Sequence, residues 1–237
     1  MSEKRLMVSL ITPTYNEKEN VPLLAEEVFK TVGEHPDIDL ELIVVDDNSP
    51  DGTGRVAEEL SEHYPIQVVH REKKLGLGSA VMAGFQRSDR PLLGVIDADL
   101  SHDPIVLPQL IQALRDHDLT IGSRYQAGSQ VEDWPWYRQG ISQAGVFFAQ
   151  RLTGVKDPLS GYFFLHREVL NDLSLTSHGY KILLEILIKG RFEQFVEIPF
   201  TFRNREYSTS KLNFEEYYLF AKQLLVFWAQ SRRNRRK

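Results

Sequence analysis

The amino-acid sequence predicts an α/β fold in which a mostly parallel, Rossmann-like sheet is flanked by helices. Short apolar runs alternate with amphipathic runs through the first half of the chain, which is the pattern of βαβ units. Clusters of polar residues directly follow the predicted strands, and in such sheets ligands bind at the carboxyl ends of the strands. The length of 237 residues suits a single domain of this class.

The spacing of apolar residues along the chain predicts the individual strands and helices. Apolar runs of four to six residues predict buried strands at Met7–Thr12, Leu40–Val45, Ile66–Val69, Leu92–Ile96 and Leu119–Gly122. Apolar residues at helical spacing predict helices at Glu19–Val32, Thr53–Tyr64, Leu77–Arg87 and Ile105–His117. The less regular second half predicts helices at Gln139–Leu152, Gly179–Lys189 and Leu212–Gln230, and a strand at Phe195–Phe202. The helix Leu212–Gln230 is amphipathic, with a broad apolar face.

Composition narrows the class of protein. The chain has no cysteine, which excludes a disulfide scaffold and a thiolate zinc site. Its net charge is −5 although the basic tail Arg232–Lys237 carries five positive charges, so the body is acidic and a nucleic-acid partner is not expected. No run is apolar and long enough to predict a membrane-spanning helix. An aromatic helix followed by a basic tail is instead typical of binding to an anionic membrane surface.

The first candidate site residues are Asp97 and Asp99, which follow the strand Leu92–Ile96. Two carboxylates at this spacing can share Mg²⁺ or Mn²⁺ together with the diphosphate that the ion carries. Ser101 could add a hydroxyl oxygen, whereas His102 is interpreted as a loop residue. A solvent-exposed turn is the alternative, because Asp also favours turns.

Two further clusters follow the first two strands. Asp46 and Asp47 precede a turn sequence, and one of these carboxylates could accept hydrogen bonds from a nucleoside. In Pro13–Glu17, Tyr15 could lie against a base and Glu17 could accept from a ribose hydroxyl. By local chemistry alone, a helix-entry loop capped by Asn16 explains that segment better.

The remaining candidates are basic or undecided. Arg71–Gly78 resembles a phosphate-binding loop, but Val81 stands where a dinucleotide fingerprint needs glycine. Fixed cations suit a departing diphosphate, and the candidates are Arg124, Arg203, Arg205 and Lys211. A solvent-exposed charge run is the alternative for each of them. The roles of Asp157 and Glu185 are not decided by spacing.

The ordered motifs PTYNE, DDNSPDGT, REKKLGLGSA, DADLSHDP, GSRY, DPLSGYF and SKL closely resemble those of the dolichyl-phosphate (polyprenyl-phosphate) mannose synthases. These are inverting family 2 glycosyltransferases with a GT-A fold. The resemblance runs from about Val8 to about Leu212, and it implies transfer of mannose from GDP-mannose to a dolichyl or polyprenyl phosphate with Mg²⁺ or Mn²⁺. A transferase that uses UDP-glucose, or a non-catalytic nucleotide-sugar-binding subunit, is the alternative.

The resemblance also implies a role for each matching residue. The nucleotide-sugar-binding set is Pro13, Tyr15, Glu17, Val45, Asp47, Asp97, Ala98, Asp99, Arg124, Arg205 and Lys211. Within it, the catalytic set is Asp97, Asp99, Arg124, Arg205 and Lys211, and the implied metal ligands are Asp99 and Ser101. We expect one domain, with residues 8–122 binding the nucleotide sugar, 123–212 the acceptor, and 213–237 forming the amphipathic helix and tail.

Two departures from the family pattern bear on these expectations. Ser208 and Thr209 stand where relatives usually have Gly-Glu, which puts the role of Lys211 in doubt. Some relatives carry C-terminal transmembrane helices, whereas this chain ends in a basic tail. We therefore expect a cytoplasmic protein on the cytosolic face of a membrane, acting alone or with a membrane-anchoring subunit.

Overall fold

The structure, a computed structural model, describes residues 4–131, 146–173, 175 and 181–203. Its strands are β1 (Leu6–Thr14), β2 (Ile38–Asp46), β3 (Ile66–His70), β4 (Leu92–Val95), β5 (Leu119–Ser123), β6 (Gln130–Val131), β7 (Phe163–His166), β8 (Phe195–Pro199) and β9 (Thr201–Phe202). Its helices are α1 (Asn20–Gly33), α2 (Thr53–Leu60), α3 (Leu77–Arg87), α4 (Leu107–Gln112), α5 (the helical residues 146–153) and α6 (Ile182–Lys189).

Seven strands form the central sheet, in the order β3-β2-β1-β4-β7-β5-β8. All neighbours pair in parallel except that β7 runs antiparallel to both β4 and β5. The short strands β6 and β9 pair in parallel as a second, two-stranded sheet. The carboxyl ends of β1, β2 and β4 therefore lie side by side along one edge of the central sheet.

The sheet is covered by helices on both faces, because alternate residues of each strand point to opposite sides. Val8 and Leu10 of β1 belong to a core packed with α1, α2 and α4, whereas Ile11 belongs to a core packed with α3 and α6. Each of these three side chains is completely buried. The near-continuous apolar strands predicted from the sequence thus reflect burial on both faces.

The predicted α/β class with a mostly parallel sheet is confirmed, and the first five predicted strands are all present. Helix α2 ends at Leu60, one turn before the predicted end at Tyr64. The predicted helix Ile105–His117 is split, since single 3₁₀ turns at Pro104–Val106 and Ala113–Arg115 flank α4. The predicted strand Phe195–Phe202 is two strands, β8 and β9, that join different sheets.

The sequence analysis missed β7, which lies at the centre of the second half. A strand of four residues gives little periodicity, so its local sequence does not predict it. Gly94 of β4 faces Phe164 of β7, and a Cβ at that glycine would lie 2.1 Å from the Phe164 ring. Close packing across the antiparallel pair therefore requires glycine at position 94.

Asp51 ties the first turn of α2 to the loop after β1. Its Oδ1 accepts hydrogen bonds from the Thr53 amide at 3.0 Å and the Thr53 hydroxyl at 2.6 Å, and its Oδ2 accepts from the Lys18 amide at 3.2 Å. Burial alone would raise the pKa of Asp51, but the hydrogen bonds from Thr53 lower it below the usual value. The carboxylate form is therefore the one that stabilises this junction.

We expect Asp51→Ala to lower the free energy of unfolding by about 0.5–1.5 kcal/mol, because it removes the acceptor of the hydrogen bonds from Thr53 and Lys18. Because the folded pKa is lowered, this contribution is present above the unfolded pKa and is lost as pH falls through the folded pKa. Urea unfolding of the parent and of Asp51→Asn at several acidic pH values measures it. A parent and an Asp51→Asn variant with the same pH slope would contradict this prediction.

Among the described residues, no helix is both long and apolar enough to cross a membrane. The predicted helix Leu212–Gln230 and the basic tail lie outside the described residues, so their structure stays a prediction. The predicted helix Gln139–Leu152 falls within them only from residue 146, and that part is helical.

Candidate functional site

Several of the predicted site residues lie in loops at one edge of the central sheet. Thr14 at the end of β1 is in register with Asp46 at the end of β2, and Ile11 is in register with Val95 at the end of β4. The loops that follow these three strands hold the Tyr15, Asp47 and Asp97 side chains. The parallel register thus brings together segments that are up to about 80 residues apart in the sequence.

An aromatic and a basic side chain are in contact at the end of β1. Tyr15 is 37% exposed, and the Lys74 Nζ lies 3.9 Å from the centre of its ring. A cation at this distance is attracted to the face of an aromatic ring. The planar Tyr15 ring is therefore held at the site edge, where a nucleobase could stack against it.

Asp47 is almost fully buried, with its carboxylate facing a basic partner. Its Oδ1 accepts from Arg71 Nη1 at 2.6 Å, and its Oδ2 accepts from the Leu75 amide at 3.3 Å. Arg71 is itself held by a 2.7 Å hydrogen bond to the Ser79 hydroxyl in α3. Burial raises the pKa of Asp47 and outweighs the lowering effect of Arg71. The sequence analysis interpreted Arg71 only as part of a phosphate-like loop and missed this pairing.

The other residues predicted to hold the nucleoside occupy different depths. Pro13 and Glu17 are partly buried, and Glu17 Oε2 accepts a 2.6 Å hydrogen bond from Asn20 Nδ2. The side chain of Val45 is completely buried in the core beneath α3, so Val45 reaches the site edge through its main chain. Asn16 does not cap α1; it adopts a positive φ of 61°, and its amide donates to Ser49 Oγ at 3.0 Å.

The loop after β4 places two carboxylates at different depths. The Asp97 side chain is 29% exposed, whereas Asp99 is 5% exposed and Ala98 is packed in the core. Leu100 has a φ of 60°, and this left-handed turn reverses the chain so that Ser101 faces back towards Asp99. Asp99 Oδ1 then accepts from both the Ser101 amide at 3.1 Å and its hydroxyl at 2.6 Å.

This donor set fits a hard divalent cation that is completed by other ligands. Within the described residues there is no group of three or more acidic, histidine or cysteine side chains able to hold a metal ion. Carboxylate oxygens from Asp97 or Asp99 and the Ser101 hydroxyl oxygen are ligands that Mg²⁺ and Mn²⁺ accept, and Mg²⁺ usually binds through one or two carboxylates plus phosphates. The loop therefore suits an ion that arrives with a diphosphate.

Arg124, which follows β5, is paired with Asp157 in a buried bidentate ion pair. Its Nε and Nη2 donate to the two Asp157 oxygens at 2.8 Å each, and its own amide donates to Asp157 Oδ2 at 2.9 Å. Asp157 is fully buried and the Arg124 side chain is 14% exposed. Burial would lower the pKa of Arg124, but Asp157 raises it above the usual value. The structure thus settles what spacing left open, since Asp157 holds Arg124 at the site edge.

Four candidates remain, and two of them fall outside the described residues. Arg205 and Lys211 are outside the described residues, so their predicted contacts with phosphates stay predictions. Arg203, at the end of β9, donates to Asp103 Oδ2 at 2.9 Å, just beyond the carboxylate loop. Glu185 lies in α6 with a 1% exposed side chain and pairs with Lys189 one turn later. Its position inside the helical layer is that of a structural residue.

The fold and the site together define a class of protein. The carboxyl edge of a mostly parallel sheet carries an aromatic residue, a buried Asp–Arg pair and a carboxylate loop suited to a metal diphosphate. The fold is similar to glucosyl-3-phosphoglycerate synthase from Mycobacterium tuberculosis in complex with Mn²⁺, UDP and glucosyl-3-phosphoglycerate. The TM-score is 0.66 at 21% identity, over 95% of this chain and 79% of that one. The chain therefore has a GT-A-like α/β fold.

Residues 9–174 match Glycosyl transferase family 2, and the chain belongs to that family. It is 45% identical over 213 residues to the dolichol-phosphate mannosyltransferase of Pyrococcus furiosus, a match that covers 87% of this chain but 59% of that protein. It is 37% identical over 232 residues to the dolichol-phosphate mannosyltransferase of Saccharomyces cerevisiae, covering 92% of this chain and 87% of the yeast protein. The resemblance that the ordered motifs carry is confirmed.

Proposed function

We propose that this chain transfers mannose from GDP-mannose to a dolichyl or other polyprenyl phosphate, with inversion at the anomeric carbon. The single observation that favours this substrate pair is the 37–45% identity to dolichol-phosphate mannosyltransferases over most of the chain. The geometry is compatible with this substrate pair. Along one edge of the sheet, residues suited to a nucleoside are followed by residues suited to a metal-bound diphosphate and by a cationic residue. In this proposal residues 8–122 hold the donor and 123–212 the acceptor.

The donor half binds the nucleotide from base to diphosphate. Tyr15 stacks on the base, Asp47 accepts from its edge, and Glu17 accepts from the ribose. Asp97 and Asp99 hold the ribose-diphosphate end, with Asp99 and Ser101 as ligands of Mg²⁺ or Mn²⁺. The ion, when bound, supplies positive charge to the leaving diphosphate.

The reaction needs alignment and charge more than it needs proton transfer. A phosphate monoester is largely dianionic near neutral pH, since its second pKa is about 6, so its oxygen is already a nucleophile. That oxygen bonds to the anomeric carbon as the bond from this carbon to the GDP oxygen breaks, which gives the β-linked product from an α-linked donor. Arg124, with Arg205 and Lys211, balances the charge of the two phosphate groups.

A transfer assay tests the proposal. Purified protein is incubated with polyprenyl phosphate in detergent, Mg²⁺ or Mn²⁺, and radiolabelled GDP-mannose or UDP-glucose. We expect label in the organic phase from GDP-mannose only, and its loss when EDTA is added. Label from UDP-glucose alone would mean that the donor is UDP-glucose rather than GDP-mannose. Label from neither donor would favour a missing partner subunit or a non-catalytic nucleotide-sugar-binding role. Calorimetry with GDP-mannose, with and without Mn²⁺, would separate the last two, because metal-dependent donor binding favours an enzyme that lacks its partner and its absence favours a non-catalytic subunit.

The acceptor is a lipid, so we also propose that the helix Leu212–Gln230 and the basic tail bind the cytosolic face of a membrane. Each basic residue near an anionic surface contributes about 1 kcal/mol, so deleting Arg232–Lys237 is expected to weaken binding to phosphatidylserine vesicles by at least about tenfold. Vesicle co-sedimentation measures this, with phosphatidylcholine vesicles as the control. Equal binding of the deleted and full-length chains would rule out an electrostatic role of the tail.

A further inference from the structure

His102 lies at the centre of the site rather than on its surface. Its side chain is 3% exposed, and its ring stacks on Tyr162 of the segment before β7, with centroids 5.1 Å apart and planes at 10°. The edges of Phe200 and Phe202 close the other sides at 5.6 and 5.9 Å. A side chain so enclosed has one orientation available, which is the condition for positioning a neighbour.

The two ring nitrogens of His102 both face Asp97. Nδ1 accepts a 3.1 Å hydrogen bond from the Asp97 amide, so the proton of the neutral ring is on Nε2. Nε2 lies 3.8 Å from Asp97 Oδ2, which is longer than a hydrogen bond. One nitrogen thus holds the main chain of Asp97, and the other faces its side chain.

Glycine at position 161 leaves room for the His102 ring and the Asp97 carboxylate to lie close together. A Cβ at position 161 would lie 3.1 Å from His102 Cε1 and 3.2 Å from Asp97 Oδ2, tighter than ordinary contact. The glycine comes from the same loop as Asp157, the partner of Arg124. The charges that act on the His102 ring accordingly come from both halves of the site: Asp97, Asp99, Arg124 and Asp157.

We propose that His102 is a positioning residue, which orients the Asp97 carboxylate towards the metal diphosphate through its Nε2–H, with Gly161 providing the space. The proposal rests on the proposed nucleotide-sugar chemistry of this site and adds to it a residue whose spacing suggested only a loop position. For this role, the 3.8 Å separation must shorten to hydrogen-bond length when the diphosphate binds. Loss of a group that orients a metal-site ligand typically costs 10–100-fold in affinity or activity.

Two conservative variants separate positioning from packing. His102→Asn keeps an acceptor at the place of Nδ1, whereas His102→Gln keeps a donor at the place of Nε2. We expect His102→Asn to have the higher Tm, by at least about 2 °C, because His102→Gln leaves the part-buried Asp97 amide without its acceptor. For GDP affinity in the presence of Mn²⁺, and for kcat/KM, we expect the opposite order of the two variants. Both quantities should fall about 10–100-fold in His102→Asn and only a few-fold in His102→Gln.

Gly161→Ala tests the same contact from the other side. It is expected to reduce GDP affinity in Mn²⁺, since its methyl group pushes against the Asp97 carboxylate. Gly33→Ala is the matched control, because a Cβ there meets nothing within 4 Å. His63→Asn, at an exposed position, controls for loss of a histidine.

The measurements are calorimetric titration with GDP and Mn²⁺, Tm, and transfer kinetics. Affinities that follow the Tm order, or that equal the parent in all variants, would overturn the proposal and leave His102 as a packing residue. If the parent binds GDP with Mn²⁺ but transfers no mannose, the transfer proposed for the isolated chain fails, and the role of His102 is judged from GDP binding alone. If UDP binds and GDP does not, the same comparison is made with UDP.

Discussion

Asp99→Asn is expected to lower kcat for mannosyl transfer by roughly 10³-fold, while the protein remains folded. In the proposed function Asp99 holds the ion at the leaving diphosphate. Loss of its charge would then remove several kcal/mol of transition-state stabilisation, and about 1.4 kcal/mol corresponds to tenfold in rate. The fold is expected to survive because the Asn side chain keeps an oxygen that accepts from the Ser101 amide and hydroxyl, as Asp99 Oδ1 does. Asp99→Ala removes that acceptor as well and should lose both activity and some stability.

The control is Asp37→Asn, since Asp37 lies just before β2 at the opposite edge of the sheet and pairs with Arg115 at 3.1 Å. It should transfer mannose at the parental rate. Steady-state kinetics at saturating Mn²⁺, together with thermal unfolding, check both variants. Appreciable transfer by Asp99→Asn would remove Asp99 from the mechanism and leave Asp97, the more exposed carboxylate, as the main ligand.

Asp157→Ala is expected to lower the free energy of unfolding by about 3–5 kcal/mol, because it leaves the Arg124 guanidinium buried without its counter-charge. Transfer should fall by roughly 10²–10³-fold in the protein that remains folded, since Arg124 is no longer held at the site edge. Urea unfolding and kinetics at a temperature well below Tm measure the two effects. Lys156→Ala is the neighbouring control; Lys156 is exposed, and its change should stay within about 0.5 kcal/mol.

A double variant separates the stability of the pair from its function. Arg124→Met with Asp157→Leu replaces the ion pair by apolar side chains, which often restores stability at buried sites. We expect the double variant to unfold at a higher urea concentration than Asp157→Ala and to remain inactive. Recovery of transfer in the double variant would show that Arg124 is structural. Since the two residues are in direct contact, their effects on stability should be strongly non-additive.

Much of the fold is visible in the sequence because its signals are local. Strands buried on both faces read as short apolar runs, and the amphipathic helices between them read as apolar residues at helical spacing. Leu77–Arg87 was predicted to the residue. The helix after Pro104 was less predictable, because 3₁₀ turns and α-helix share a nearly common spacing of apolar residues.

The residues of the candidate site were likewise only partly predictable from the sequence. Asp97, Asp99 and Asp47 could be selected because each directly follows a strand of a parallel sheet, and the carboxyl ends of such strands share one edge. His102 was interpreted as a loop residue, since a histidine beside polar residues gives no sign of burial. Its environment is supplied by Tyr162, Phe200 and Phe202, which are 60 or more residues away in the sequence.

The sequence by itself determined the fold class, the edge of the sheet that carries the site and, through the order of its motifs, the family. The tertiary structure alone decided that β7 enters the sheet antiparallel between β4 and β5, that Asp157 holds Arg124, and that His102 faces Asp97. The physical reason is the separation along the sequence over which each effect acts. Periodicity and turn chemistry act over a few residues, whereas burial and ion pairing depend on which distant segments the folded chain brings into contact.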